Sequence, residues 1–274
     1  MDDRTERRIL DTTGEAMAAF LARRSVLLTV GAPRKAEQIA TGTCLKLGSR
    51  FFIATCAHAF RATSLRDIWV CHTREGYQRR VELTNGVLDG GSAHSPVDIA
   101  ALEVAPEVAE QLDREFVEIG DLGNIATRGT HHLYLFGFPR DLVLREPLRS
   151  GEFHYASYCW SSDPLDAESF PPEADLDLDV CFEYTADGEP SGASELVKTP
   201  SPVGFSGGGI WALNPNIGDP LVGPQHAKWI GIQRAWCSNK RISYGNKVQV
   251  LLNLLGRSYP ELKGPLSGTK PEKT

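Results

Sequence analysis

None of the six cysteines, Cys44, Cys56, Cys71, Cys159, Cys181 and Cys237, belongs to a C-x-x-C pair, so a thiolate zinc site has little support. A secretory signal is lacking too, because the N-terminus, MDDRTERRILDTTGEAMAAF, is charged and has no apolar core. Without an export signal, free thiols in a cytoplasm are the expectation. The longest apolar runs, such as Val250-Leu251-Leu252 and Leu133 to Phe138, are far shorter than the roughly 20 residues needed to cross a bilayer. Basic residues are not in excess. The net charge is -6 and the pI about 5.7, which speaks against nucleic-acid binding and gives no attraction to anionic membranes. His131-His132, Cys71-His72 and His94 offer at best adjacent ligands, which rarely converge on one ion, so neither metal nor cofactor is expected.

What remains is a globular chain of 274 residues. Its apolar fraction is about 48% once Tyr is left out and Gly counted, within the usual range. That length suits one or two domains and a large core. The 26 Gly and 17 Pro imply many turns and a β-rich fold.

Residues 5–24 read as an amphipathic helix with Ile9, Thr13, Met17, Phe20 and Leu21 on one stripe. From Ser25 onward short β-rich runs follow: SVLLTV (25–30), TGTCLKL (41–47), RFFIAT (50–55), DIWVCH (67–72), RRVELT (79–84) and DIAALEV (98–104). Further runs are HLYLFGF (132–138), GEFHYASY (151–158), LDVCFEYT (178–185), GGIWAL (208–213) and KWIGIQRA (228–235). Their frequency and irregular spacing point to a barrel or sandwich, not to alternating βαβ units. Residues 161–177 are acidic and Pro-rich and read as an exposed loop. Residues 246–256 read as a closing helix with Val248, Leu251, Leu252 and Leu255 on one face.

Three segments carry chemistry. Gly204-Phe205-Ser206-Gly207-Gly208 sets a serine among glycines, which allow φ > 0 and let backbone N–H groups converge on an oxyanion. Alone it is equally a Gly-rich turn with an incidental serine. His58 follows a strand directly and reads alone as a structural histidine. Asp98 opens an apolar strand and reads alone as a turn residue. Together they give His, Asp, Ser in chain order, 40 and then 108 residues apart.

With these segments the chain resembles the trypsin/chymotrypsin-like serine proteases, especially bacterial members without disulfide frameworks. The matching motifs are Gly42-Thr43-Cys44, Thr55-Cys56-Ala57-His58, Asp98-Ile99-Ala100-Ala101-Leu102 and Gly204-Phe205-Ser206-Gly207-Gly208. Leu135-Phe136-Gly137-Phe138-Pro139 and Trp229-Ile230-Gly231-Ile232-Gln233 are weaker matches. The resemblance implies an all-β fold of two six-stranded antiparallel β-barrels, with an added N-terminal helix and a C-terminal helix. Residues 1–25 would form the helical extension, 26–120 the first barrel, 121–256 the second barrel with its closing helix, and 257–274 a flexible tail. His58 and Asp98 would come from the first barrel and Ser206 from the second, as nucleophile of an endopeptidase that forms an acyl-enzyme. The backbone N–H groups of Gly204 and Ser206 would form the oxyanion hole.

The departures matter. Phe205 stands where digestive members carry the Asp of their zymogen switch, so that switch is absent. Cys56 and Cys44 are expected as buried thiols, not as a bridge. By alignment, Ser201, Gln233, Arg234 and Trp236 would contribute to substrate binding. Pro200 leaves no carboxylate at the pocket base, which argues against a demand for Lys or Arg. Trp236 either narrows the pocket or packs elsewhere.

Two competing readings remain. G-x-S-x-G is also the nucleophile elbow of α/β-hydrolase esterases. That fold needs a helix after the serine and a later Asp and His, whereas here Gly-Gly-Gly-Ile-Trp follows and His226 is the only later histidine. A protease-like double barrel can also be a recognition module without turnover. The partner implied is a protein or peptide substrate. The N-terminal helix reads either as packing against a barrel or as the docking element for a regulatory protein.

Overall fold

The computed structural model describes residues 3–31, 37–61, 63–71, 78–80, 83–90, 95–123, 131–142, 155–185, 187–188, 197–214 and 223–263. His72, His94, residues 151–154 and the tail after Lys263 lie outside them.

The first sheet holds β1 (Ser25–Val30), β2 (Glu37–Leu47), β3 (Arg50–Thr55), β4 (Ile68–Cys71), β5 (Gln78–Arg80), β6 (Leu83–Gly90) and β7 (Asp98–Val104). All pairings are antiparallel, in the order β5-β4-β1-β2-β3-β7-β6. β5 and β6 are opposite edges of this sheet yet are only two residues apart in sequence. A chain that short keeps the two edges together, so the sheet closes into a barrel. The run expected as one strand at 79–84 is thereby divided between two edges, which makes the count seven, not six.

The second sheet holds β8 (His132–Gly137), β9 (Tyr158–Ser162) and β10 (Asp179–Glu183). After a separate ribbon of β11 (Asp187–Gly188) and β12 (Val197–Lys198) come β13 (Gly209–Leu213), β14 (Lys228–Cys237) and β15 (Ile242–Lys247). The order is β10-β15-β14-β13-β8-β9, and a bridge between Pro164 and Phe182 joins its two edges. Each barrel has its own apolar interior: Val26, Leu28, Ile53, Val70 and Leu102 in the first, and Leu133, Leu135, Phe182, Phe205 and Ile230 in the second. A larger layer between them brings Phe52, Ala101, Phe136, Trp211 and Trp229 together.

Helix α1 (Asp3–Ala22) lays Met17 and Leu21, both fully buried, into that layer, with Phe20 edge-on to Trp211 at 5.8 Å. This part of the amphipathic stripe is therefore spent on the chain's own core. The side chain of Ile9 lies outside the described residues. A short helix, α2 (Pro106–Gln111), had no clear signature in the sequence. The closing helix α3 (Val248–Ser258) buries Val248, Leu251, Leu252 and Leu255 as expected, and Leu254 as well. It starts two residues later than its periodicity suggests because Asn246 and Lys247 complete β15. The acidic stretch donates Ser161 and Ser162 to β9 and otherwise forms a largely irregular excursion.

Candidate active site

The pairing of β3 with β7 sets Thr55 opposite Ala100. Because the strands are antiparallel, the residues just past the end of β3 meet those at the start of β7. His58 lies in the 3-10 turn Ala57–Phe60 and Asp98 is the first residue of β7. His58 Nδ1 stands 2.5 Å from Asp98 Oδ2, and the His58 backbone N–H donates to Asp98 Oδ1 at 2.8 Å. Holding the proton on Nδ1 leaves Nε2 as the acceptor. Burial by itself would lower the His58 pKa. The hydrogen bond and charge of Asp98, aided by Cys56, outweigh it and raise it. Burial likewise opposes ionisation of Asp98, but His58 and the more distant charge of Arg234 hold its carboxyl below the ordinary value.

Ser206 sits in the loop that enters β13, with Gly204 at φ +100° and Gly207 at φ +87°. A Cβ on Gly207 would overlap Thr55 Oγ1 and the Thr41 carbonyl, so this loop lies hard against the strand end that carries His58. The Thr41 N–H donates to Ser206 O, and the Gly207 N–H donates to Gln233 O, both at 2.8 Å.

The flanking peptide units are fixed by their carbonyls. Val203 O accepts from Arg140 N at 2.8 Å, and Phe205 O accepts from Gly208 N at 2.6 Å. In a trans peptide the N–H opposes the C=O, so Gly204 N–H and Ser206 N–H face the other way. Among the described residues neither has an acceptor. Gly204 O is itself held by Thr41 Oγ1 at 2.8 Å and by Gln38 Nε2, which also bonds Phe138 O.

Ser206 is half-buried, and among the described residues no hydrogen bond joins it to His58. His58 Nε2 instead lies 3.7 Å from Cys56 Sγ. Catalytic hydrogen bonds often tighten only with substrate bound.

Comparison of the sequence with protein-family models and with curated proteins finds no match. Comparison of the structure does. A scabies mite inactivated protease paralogue aligns with a TM-score of 0.59 at 13% identity, over 90% of this chain and 99% of its own. Human heparin binding protein aligns with a TM-score of 0.52 at 12% identity, over 92% and 95%. The fold is that of the chymotrypsin-like serine proteases.

Within that fold the residue before the serine anchors the loop by packing, not by charge. Phe205 is fully buried, edge-on to Tyr184 at 5.9 Å and to Tyr158 at 6.4 Å. The four residues assigned to substrate binding have different settings. Ser201 lies at the loop's start, its N–H donating to Asp141 Oδ2 at 3.0 Å. Gln233 is buried and reaches the site through its backbone, as acceptor for Gly207. The Arg234 guanidinium is turned inward onto Asp179, at 3.0 and 2.8 Å, and over the Tyr244 ring. Trp236 is one of the few exposed large apolar side chains, as is Val203 in the serine loop.

The sequence had not singled out Thr41 and Gln38, which position the serine loop, or Asn246 and Asp179, which sit behind Asp98. Asp89 lies in β6 and pairs with Arg257 at 2.7 Å. All six cysteines are free thiols in the structure.

Proposed function

We propose that the protein is a serine endopeptidase. Ser206 attacks the scissile carbonyl, His58 takes its proton and passes it to the leaving amine, and Asp98 orients and stabilises the imidazolium. The observation that carries this reading is the pair of N–H groups of Gly204 and Ser206, aimed away from their tied carbonyls and without acceptors among the described residues, on the loop packed against the strand end that leads to His58. Preorganised donors of this kind are what a developing oxyanion requires. Their loop owes its shape to packing and main-chain bonds, so no cleavage step is needed to form it. The first barrel would span residues 26–120 and the second 121–256, the substrate would be a protein or peptide, and the site of action the cytoplasm.

The contact of His58 Nε2 with Cys56 and not Ser206 favours a second reading, a recognition module on a protease fold. A serine-reactive fluorophosphonate separates the two. The peptidase reading expects stoichiometric labelling at Ser206 and turnover of a peptide library. Intact, folded protein that neither labels nor cleaves would favour the module.

A further inference from the structure

Behind Asp98 lies a buried polar chain that crosses from one barrel to the other. Asn246, in β15, is fully buried. Its Oδ1 accepts the Asp98 N–H at 2.8 Å, while its Nδ2 donates to Pro96 O and to Asp179 Oδ1, each at 2.8 Å. Asp179, in β10, is itself buried and bound through both oxygens by Arg234 of β14. One amide thus grips the main chain on both sides of Val97. Its orientation is dictated by Asp179, a pure acceptor, which in turn is neutralised by Arg234.

We propose that Asn246 is a positioning residue for Asp98, and that the Asp179–Arg234 pair holds its amide and sets the charge felt by the His58–Asp98 couple. The assignment rests on the serine-peptidase reading above for its catalytic meaning. Asp98 starts its strand and receives its N–H partner from the opposite barrel. The acid is therefore correctly placed only when both barrels are docked. A buried amide is a costly way to fill space, since each of its polar atoms needs a partner. Here two of the three described partners, Pro96 O and the Asp98 N–H, lie on the turn that carries the acid. The charged and titratable groups facing the couple are Cys56 from its own turn, Arg234 from β14 and, through Asn246, Asp179 from β10.

Two variants test this. Asn246→Leu keeps the volume but removes the grip. With activity counted per fluorophosphonate-titrated site, kcat should fall about 10- to 100-fold, as for other outer hydrogen-bond partners, with KM nearly unchanged. Asp179→Asn leaves the Arg234 cation uncompensated, which disfavours imidazolium. His58, followed by imidazole NMR in full-length protein, should then titrate about half a pH unit or more lower than in wild type.

Loss of all titratable sites from Asn246→Leu at an unchanged melting temperature also supports the proposal. Loss that merely tracks the melting temperature, or an unmoved His58 titration in Asp179→Asn, overturns it and leaves the network a purely structural one. The NMR titration needs no turnover. An inactive wild type would therefore refute the peptidase reading while the dependence of His58 on Asp179 is still measured.

Discussion

His58 Nε2 and Cys56 Sγ lie 3.7 Å apart, so the nitrogen that should receive the serine proton faces a buried thiol. Cys56 is two residues before His58 and fully enclosed. Its thiol contacts the imidazole nitrogen that the proposed mechanism assigns to Ser206. Replacing it by Ala removes that contact and one of the contributions that raise the His58 pKa. Cys56→Ala should keep fluorophosphonate labelling at Ser206 and shift the acid limb of kcat/KM to lower pH. Abolished turnover in Cys56→Ala, with turnover retained in Ser206→Ala, would make the thiol the nucleophile.

The pH dependence follows from the same pair. His58 is raised from 6.5 to about 10, so its imidazolium is favoured and the base form appears only as pH climbs. The acid limb of kcat/KM should lie above the ordinary imidazole value of about 6.5. For stability the signs are opposite for the two partners. The raised His58 contributes fully below its unfolded pKa and loses that contribution as pH rises through its folded value, between about 6.5 and about 10. The lowered Asp98 contributes above its unfolded value of 3.8 and loses that contribution as pH falls through its folded one. Urea denaturation of wild type and His58→Gln at pH 5, 7 and 9 should show their difference shrinking towards pH 9.

Asp98→Asn tests the orienting acid. An amide donates to Nδ1 and favours the wrong tautomer, so kcat should fall by about 10⁴-fold. Asp89→Asn is the control, because its partner Arg257 is largely exposed and surface pairs of this kind contribute little. Steady-state kinetics on both variants decide between the two acids.

The oxyanion loop is open to a separate test. Gly204→Ala would force a Cβ into a left-handed conformation and against Gln38 and Phe138 O, moving the N–H proposed to bind the oxyanion. A loss of about 10²- to 10³-fold in kcat is expected, the size seen when one oxyanion donor is removed. Phe205→Ala empties a fully buried aromatic site and should destabilise the fold by about 3–5 kcal/mol as well as slow acylation. Thermal unfolding and single-turnover kinetics separate the two effects.

The three segments of the candidate site stood out in the sequence because each couples a strand end or a glycine-rich turn to a residue type with few alternatives there. The register that brings His58 to Asp98, Thr55 opposite Ala100, follows from two apolar strands of ordinary pattern. β15 was not legible. Ser243, Gly245 and Asn246 break the apolar alternation, because Ser243 is a buried hydroxyl bonded to the neighbouring β14 and Asn246 is a buried amide whose partners lie 67 to 150 residues away. The ion pair of Arg234 was not legible for the same reason, since its partner, Asp179, is 55 residues upstream. The β-rich run at 79–84 stopped short of most of β6 because Gly86 and Gly90 weaken the strand pattern, although pairing with β7 holds it in the sheet.

The most direct test of the account is hydrolysis by Ser206→Ala beside wild type, with both proteins shown to be folded by circular dichroism and free of contaminating protease. No other described hydroxyl combines a glycine-flanked loop, two acceptor-free N–H groups and a neighbouring His–Asp pair. The account expects wild type to cleave peptide and ester substrates and the variant to fall to the background rate, with fluorophosphonate labelling lost. Turnover retained in Ser206→Ala would contradict it.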